Sequence, residues 1–180
     1  MAITRLGGAN AITGTIPQGN IANASLGAVT ALPAAITTGK VLQVQSTQGI
    51  NEFSSTSSSF VDVTGLSLTI TPTSSSNKIL LLANINAYVG AASVYFALRW
   101  ERAISGGATT AFGNSTYGQS FARSAQAHDF WGGVGMTYLD TPSTTAQITY
   151  QVQAKASSGT IQISVNSTNQ NNIMALEISG

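Results

Sequence analysis

The chain has no cysteine, a single histidine and very few charges for its length. Its 180 residues include 7 Lys and Arg and 6 Asp and Glu, and the formal net charge is +1. Charged residues make up 7% of the chain, whereas an average soluble domain contains roughly 25%. Without cysteine there is no disulfide framework, no thiolate metal site and no cysteine nucleophile. The single histidine, His128, excludes a histidine-rich metal site.

The scarcity of cations also excludes the basic surface that nucleic-acid binding requires. The Lys and Arg residues are scattered along the sequence rather than clustered. No apolar run approaches the roughly 18 residues that a membrane-spanning helix needs, so we expect no membrane insertion. The first residues, MAITRLGGAN, contain one Arg and no apolar core, which predicts that they are not a secretory signal.

Uncharged polar residues take the place of the missing charges. Ser, Thr, Asn and Gln together account for 67 of the 180 residues, and a hydrophobic fraction of 43% argues against disorder. Soluble proteins generally use charge to remain apart, while hydroxyls and amides pair across an interface without the desolvation cost of a buried charge. The composition therefore favours a permanently assembled protein over an ordinary β domain with a chance composition.

Residues 1–38 differ from the rest of the chain because they contain one charged residue and no aromatic residue. Pro17 and Pro33 prevent a continuous helix, and small apolar residues recur every four or five positions, which fits neither the strand nor the helix period. We interpret this segment as an extended arm that must pack on another surface; a disordered leader is the alternative. The candidate attachment residues are Ile12, Ile16, Pro17, Ile21, Leu26, Val29 and Leu32.

From residue 39 onward, apolar and polar residues alternate with the period of β-strands. The predicted strands lie at 40–45, 60–63, 66–70, 79–88, 94–101, 130–139, 146–155, 161–165 and 174–178. In the clearest of them, AQITYQVQAKA, Ile148 and Tyr150 are predicted to face inward and Gln153 and Lys155 outward. The last strand has Met174, Leu176 and Ile178 as its alternating apolar residues.

Turns rich in Ser, Thr, Asn and Gly separate these strands, and residues 103–128 are predicted to be rich in loops. No window shows a capped amphipathic helix. The predicted fold class is therefore all-β: antiparallel sheets packed face to face as a sandwich of jelly-roll type over residues 39–180, preceded by the extended N-terminal arm. Periodicity does not determine the order of the strands.

The sequence contains no convincing catalytic constellation. A Gly-x-Ser-x-Gly elbow is absent, and a catalytic triad would have to use His128, whose neighbour Asp129 is too close in sequence to face it. The six carboxylates share no spacing that suggests a pair of catalytic acids. The glycine run at 132–135 is not a phosphate loop, because no Gly-Lys-Ser/Thr follows it. We therefore predict that the protein is not an enzyme.

Aromatic residues in or beside the loop-rich middle are candidates for receptor contact, since a flat apolar ring binds sugars or proteins with little loss of entropy. The candidate receptor-contact residues are Tyr117, Phe121, His128 and Trp131. The alternative is that the aromatic rings close the end of the sandwich and that His128 is an ordinary exposed residue. Asn84 and Asn86 are predicted to face a partner or solvent. Arg99, Glu101 and Arg102 are candidates for an ion-pair cluster, or else a solvated strand end.

Residues 39–90 carry a resemblance to a known family. The order GKVLQVQST, a Ser/Thr tract and SFVDVTGLSLTITPTSSSNKILL resembles a module found in bacteriophage tail-fibre and related virion proteins, especially those of phages of aquatic bacteria, cyanobacteria included. The N-terminal GTIPQGNIANASLGAVTALPAAI resembles the Ala- and Asn-rich arms that precede such modules. Residues 91–180 are similar only in general β character.

This resemblance implies a virion structural protein, usually a homotrimer, without enzyme activity or cofactor. It further implies that residues 1–38 bind other virion proteins and that the β domain contacts the host surface, where a cell-surface glycan is a candidate receptor. At 180 residues the chain is far shorter than a typical long fibre. A short trimeric tail or baseplate fibre is therefore one hypothesis, and a capsid decoration, cement or head-fibre protein is the alternative.

Overall fold

A computed structural model describes residues 40–49, 52–124, 129–164 and 170–180. The predicted arm at 1–38, with all its candidate attachment residues, and His128 lie outside the described residues. Within the described ranges the regular structure consists of strands. They are β1 (Val41–Gly49), β2 (Phe53–Ser55), β3 (Val61–Ile70), β4 (Lys78–Val89), β5 (Tyr95–Ile104), β6 (Thr109–Ala111), β7 (Ser120–Arg123), β8 (Phe130–Asp140), β9 (Ile148–Ala156), β10 (Ile161–Ile163) and β11 (Asn171–Ile178).

The strands form two antiparallel sheets. In sheet A, β4 is central: β8 pairs along one of its sides, and β11 and then β10 pair along the other. Strand β1 lies outside β11, and β2 lies outside β10. In sheet B the order is β3, β9 and β5, and the short strands β6 and β7 pair with successive parts of β5.

The pairing confirms a jelly roll. If β6 and β7 are taken as one interrupted strand and β2 and β10 as short additions, eight principal strands remain. The first of these pairs with the last, the second with the seventh, the third with the sixth and the fourth with the fifth. This is the pattern of one long antiparallel hairpin rolled around a core, which is the architecture of the double-sheet jelly roll.

The core lies between the two sheets and is made from alternate residues of their strands, as the period-two pattern predicts. The largest fully buried side chains are Trp100, Tyr150, Phe96, Leu66, Ile79, Leu81, Ile85, Leu98, Ile148, Ile161, Ile163 and Ile173. The inward faces predicted for β4, β5 and β9 are confirmed. Asn84 is exposed and Asn86 half-buried on the opposite face of β4, as expected for residues that do not enter the core.

On β9 the prediction that Gln153 and Lys155 face outward is confirmed, but the outward position does not make them exposed. Both lie on the outer face of sheet B but are buried there, because the segment that carries Phe60 and the loop before β7 cover this part of the sheet. The Lys155 Nζ lies 4.9 Å from the centre of the Phe60 ring and donates to the Ser115 carbonyl at 3.0 Å. The Gln153 amide donates to Asp62 at 2.8 Å, so both buried polar groups have partners.

In β11 the residues that face the core are Ile173, Ala175 and Glu177. The alternating apolar residues of the sequence, Met174, Leu176 and Ile178, lie on the outer face of sheet A and are half-buried. Hydrophobic alternation alone could not assign the inward face of this strand, because both of its faces carry aliphatic side chains.

The prediction that residues 103–128 are rich in loops is partly wrong. Strand β5 continues to Ile104, and β6 and β7 lie within the segment. These two strands have three and four residues, and Gly and Ser interrupt the sequence around them. So few residues give too few alternations to indicate a strand.

An ion pair joins the two sheets near one end of the sandwich. Arg102 of β5 donates through Nη1 to both carboxylate oxygens of Asp140 at the end of β8, at 2.8 and 3.0 Å. The phenol of Tyr150 donates to the same carboxylate at 2.6 Å. Burial and this hydrogen bond raise the pKa of Tyr150, so the phenol remains a donor. Arg102 thus pairs across the sandwich rather than with Glu101.

Glu177 is a fully buried carboxylate that has hydrogen-bond donors rather than a cationic partner. Its oxygens accept from the Thr73 amide at 2.7 Å, the Thr73 hydroxyl at 2.8 Å, the Asn77 amide at 2.6 Å and the Gln43 amide at 2.6 Å. Burial raises the pKa of Glu177, but the hydrogen bonds from Asn77, Gln43 and Thr73 together outweigh it and hold the pKa below its ordinary value. The carboxylate therefore ties β11, β1 and the turn before β4 together.

This network predicts a pH-dependent contribution to stability. Because the folded-state pKa of Glu177 lies below its ordinary value of 4.5, the contribution is present above about pH 4.5 and is lost as the pH falls through the folded-state pKa. We expect Glu177→Gln to lower the free energy of unfolding at neutral pH by about 1–3 kcal/mol. The difference from wild type should shrink as the solution is acidified. Urea unfolding over a series of pH values measures it.

The matched control is Glu101→Gln, which removes the same charge at a half-buried position on β5. It should leave the acid sensitivity of the wild type intact. A deficit of the Glu177→Gln variant that is the same at acidic and neutral pH would contradict this account of the buried carboxylate.

Candidate functional site

The large exposed hydrophobic side chains of the described residues fall into two places. Tyr117 and Phe121, exposed by 47% and 55%, lie together at one end of the outer face of sheet B. The others lie along sheet A, on its outer face or its first edge strand. They are Val41, Leu42, Val44, Trp131 and Leu139. The two outer faces of the sandwich are therefore chemically distinct.

On sheet B, strand pairing places four functional positions side by side. Tyr95 of β5 lies opposite Arg123 of β7, and Ala97 lies opposite Phe121. Directly opposite residues of an antiparallel pair share a face, so all four lie on the outer face of the sheet. Ala97 is fully buried on this face. Ser157 follows β9 and joins the row beside Tyr95, to which it donates a backbone hydrogen bond at 2.8 Å.

Tyr117 reaches this face from a tight turn. Asn114 and Gly118 exchange two backbone hydrogen bonds at 2.9 and 2.8 Å. The side-chain oxygen of Asn114 accepts from the amides of Thr116 and Tyr117 at 2.6 and 3.1 Å, which is the local side-chain bonding that favours Asn in turns. Gly118 has a left-handed φ of 63°. The turn therefore fixes the backbone that carries the Tyr117 ring.

The turn is also fastened to the sheet beneath it. Besides the bond from Lys155 to the Ser115 carbonyl, the backbone N–H of Gln119 donates to the Leu98 carbonyl at 2.9 Å. The Gln119 side-chain oxygen accepts from the Trp100 amide at 2.8 Å. Tyr117 is thus held by a loop with several fixed points, which reduces the entropy lost when a ligand binds.

Together these residues form an open pocket, which we call the aromatic pocket. Its cavity of about 280 Å³ is lined by Ser93, Tyr95, Tyr117, Phe121, Arg123 and Ser157. The centre of the Tyr117 ring lies 5.3 Å from that of Tyr95 and 5.1 Å from that of Phe121, with tilted planes. Of the sequence-predicted receptor residues, the structure brings Tyr117 and Phe121 together here.

Trp131 lies elsewhere, on the outer face of sheet A. It is opposite Tyr88 of β4, and the two ring centres are 5.3 Å apart. The Tyr88 phenol donates to the Asp129 carboxylate at 2.9 Å, and this bond raises the pKa of Tyr88. Trp131 therefore does not contribute to the aromatic pocket.

Sequence reasoning missed Tyr95 and Arg123. Tyr95 alternates with buried residues of a strand and so has the signature of an ordinary outward position. Arg123 follows Phe121 by two residues, which is the spacing of one strand face, but the strand that carries it is too short to identify from sequence. That spacing was the one available signal.

The outer face of sheet A carries a row of aliphatic side chains, which we call the aliphatic row. Val44 of β1 lies opposite Leu176 of β11, Leu176 opposite Leu80 of β4, and Leu80 opposite Leu139 of β8. Val44 and Leu139, at the two ends, are exposed by 53% and 49%. Neighbouring rows on this face add Met174, Leu82, Ile178 and Val41. Lys78 brings a single positive charge to the same strands.

No group of three or more His, Asp or Glu residues within the described ranges is arranged to hold a metal ion. In the same part of the chain, no helix has the length and apolar character needed to cross a membrane. What the surface offers is therefore an aromatic pocket on one sheet and an aliphatic row on the other.

Comparisons with known proteins give only distant likenesses. No protein-family model matches the chain, and no curated protein does. Among solved structures, the infectious bursal disease virus Gt strain matches with a TM-score of 0.39 and 12% identity over 77% of this chain and 38% of the viral chain. The VP2 subviral particle of the same virus matches with a TM-score of 0.35 and 14% identity over 77% and 38%. The chain thus spans less than half the length of these viral chains, and the likeness is too distant to carry a functional argument.

The turn that carries Tyr117 predicts an unequal response to two glycine substitutions. Gly118 and Gly106 both have left-handed φ values, 63° and 72°. A Cβ at Gly118 would collide with the Leu98 carbonyl oxygen, while a Cβ at Gly106 would have no atom within 4 Å. We expect Gly106→Ala to lower the free energy of unfolding by about 1 kcal/mol through its backbone conformation alone. Gly118→Ala should lower it by about 1–3 kcal/mol more.

Urea unfolding of both variants measures this difference, with Gly106→Ala as the control for the backbone term. Equal losses in the two variants would show that the turn is not packed against β5 in the way described.

Proposed function

We propose that this chain is a structural protein of a bacteriophage particle, a short trimeric tail or baseplate fibre. It attaches to other virion proteins through residues 1–38 and contacts the host surface with its β domain. The observation that carries the proposal is the aliphatic row, a line of uncharged side chains across sheet A that an isolated chain would leave in contact with water.

The chemistry of sheet A supports assembly. A contiguous exposed apolar patch on a soluble protein generally marks an interaction surface, and the aliphatic row crosses four adjacent strands. Neighbouring strands lie roughly 4.8 Å apart, so the row is about 14 Å wide. A second copy of the chain is the proposed occupant, with the aliphatic row of each copy packed against a neighbouring copy in the trimer, because the row itself carries no charge and needs no opposite charge to meet it.

The host contact is proposed for the aromatic pocket on sheet B. Rings fixed by the turn at 114–118 offer an apolar platform that loses little entropy on binding. In a trimer each particle-bound fibre would present three such pockets. Repetition raises weak individual contacts to useful avidity, which suits a small cavity with a small contact area.

Assembly through sheet A predicts the effect of one charge. In Leu139→Lys the new ammonium group would be buried at the interface, which is unfavourable without a partner. We expect the full-length wild-type chain to sediment as a trimer and this variant to raise the dissociation constant by roughly 100-fold or more. Sedimentation equilibrium measures both.

The control for that experiment is Thr109→Lys, which adds the same charge at an exposed position of β6 in sheet B. It should remain a trimer. A monomeric wild-type chain, or a Leu139→Lys variant that assembles as well as the control, would contradict the proposed interface.

The location of the protein on the virion is tested with particles that carry variants of it. A chain lacking residues 1–38 should be missing from purified particles and should still bind host cells as a free trimer. Particles carrying Tyr117→Ala should contain the protein in normal amount and adsorb to cells more slowly. If particles that lack the protein adsorb normally but lose their contents on heating, the capsid decoration or cement protein is favoured instead.

A further inference from the structure

We propose that the aromatic pocket binds a sugar residue that carries a carboxylate, such as a hexuronic acid unit of a cell-surface polysaccharide. In this arrangement the sugar ring lies against Tyr117 and Phe121, and its carboxylate pairs with the Arg123 guanidinium. The inference rests on the proposed function for the host contact and adds the chemical class of the ligand.

Arg123 differs from the other arginines and the buried lysine of the described β domain. Arg102 is paired with Asp140. Arg99 donates to Gln153 at 2.8 Å and lies 4.1 Å from the centre of the Phe60 ring, and Lys155 shares the same ring. Arg123 is exposed and makes no hydrogen bond or ion pair with any residue that the structure describes. Its donors are therefore available to a ligand in the pocket it lines.

A guanidinium selects planar anions. It presents parallel N–H groups that match the two oxygens of a carboxylate. Because Tyr95 lies directly opposite Arg123 on the sheet face, the cationic group borders the aromatic surface rather than standing apart from it. A ligand that covers the rings can thus place a carboxylate against Arg123 at the same time.

The rings supply the second element of recognition. Tyr117 and Phe121 are tilted by 40° to each other, and both are about half exposed, so their faces form a shallow cleft. The face of a sugar ring that presents its C–H groups is apolar and flat enough to pack on such a surface. The fixed turn beneath Tyr117 holds the cleft open before the ligand arrives, which favours binding by a weak ligand.

Hydroxyl groups complete the pocket. The hydroxyls of Ser93, Tyr95 and Tyr117 have no hydrogen-bond partner among the described residues. The Ser157 hydroxyl accepts from the Tyr95 amide at 3.1 Å and still has its own proton to donate. These groups can each donate and accept, which matches the hydroxyls of a sugar, whose own groups do the same.

The balance of charge and size favours a single carboxylate over a nucleotide or a polyphosphate. Arg123 is the one cationic group among the residues that line the cavity. A cavity of about 280 Å³ is slightly smaller than most ligand pockets, which span roughly 300–1,000 Å³. It therefore suits one sugar residue with one negative charge.

The test compares two pairs of ligands that differ only at carbon 6. The full-length protein is titrated with methyl glucuronide and methyl glucoside, and with methyl galacturonide and methyl galactoside, while amide chemical shifts are recorded by NMR. In at least one pair we expect the acidic member to bind tenfold or more tightly than the neutral member. In Arg123→Gln that preference should vanish, and in Tyr117→Ala both members should bind more weakly.

The control variant is Lys78→Gln, which removes the same charge from the outer face of sheet A. It should keep the full preference for the acidic sugar, which separates a local pairing from an effect of net charge. Arg123→Lys should keep only part of the preference, because an ammonium group lacks the parallel donors. Equal affinity for acidic and neutral members in both pairs, or an undiminished preference in Arg123→Gln, would overturn the proposal; so would the absence of binding by every sugar.

Particle adsorption separates this inference from the proposed function. If the acidic sugars bind selectively through Arg123 while particles carrying Tyr117→Ala adsorb normally, the proposed ligand class is supported and the proposed host contact is contradicted. If particles carrying Tyr117→Ala adsorb slowly but the wild-type pocket binds the acidic and neutral members of each pair equally, the proposed host contact is supported and the proposed acidic ligand is wrong.

Discussion

The register of β4 against its neighbours is the constraint on which both faces of sheet A depend. Successive residues of a strand point to opposite faces, so the pairing that buries Leu81 also places Leu80 in the aliphatic row. A slip by one residue would exchange the two sets. Leucines on both faces give little hydrophobic preference between these registers. Polar residues supply it instead, since Asn84 would enter the core after a slip, and Glu177 would lose its hydrogen bonds at the end of the sandwich.

The few charged residues are unevenly distributed over the fold. The few charged groups include several that are used inside the sandwich: Glu177 ties strand ends together, and Arg102 joins the sheets through Asp140. Such groups are partnered and contribute nothing to keeping molecules apart. The aliphatic row is left nearly uncharged as a result, and Arg123 is conspicuous because it lies in a pocket without a described partner. The burial of these charges thus supports the proposed assembly.

Alternation was sufficient to predict the fold class and the inward faces of β4, β5 and β9, because each buries one apolar face against the opposite sheet. It could not give the strand order, which follows from long-range pairing. It gave no inward face for β11, where Leu176 and Ile173 lie on opposite faces, and it missed β7, whose short length hides Arg123. Their position in or beside the loop-rich middle identified Tyr117 and Phe121 as candidate contacts. Their convergence with Tyr95 required the register of β5 and β7.

The two candidate surfaces lie on opposite outer faces of one sandwich, and this separation has a functional consequence. Sheet B covers part of its outer face with Phe60 and a polar network and carries the aromatic pocket at one end, whereas sheet A carries an uncharged row across four adjacent strands. Contact between copies through sheet A would therefore leave every pocket on sheet B exposed. A particle could then gain avidity from repeated weak sites without any change in the site itself. The jelly roll permits this because its two sheets bury their inner faces against each other and leave their outer faces free to differ.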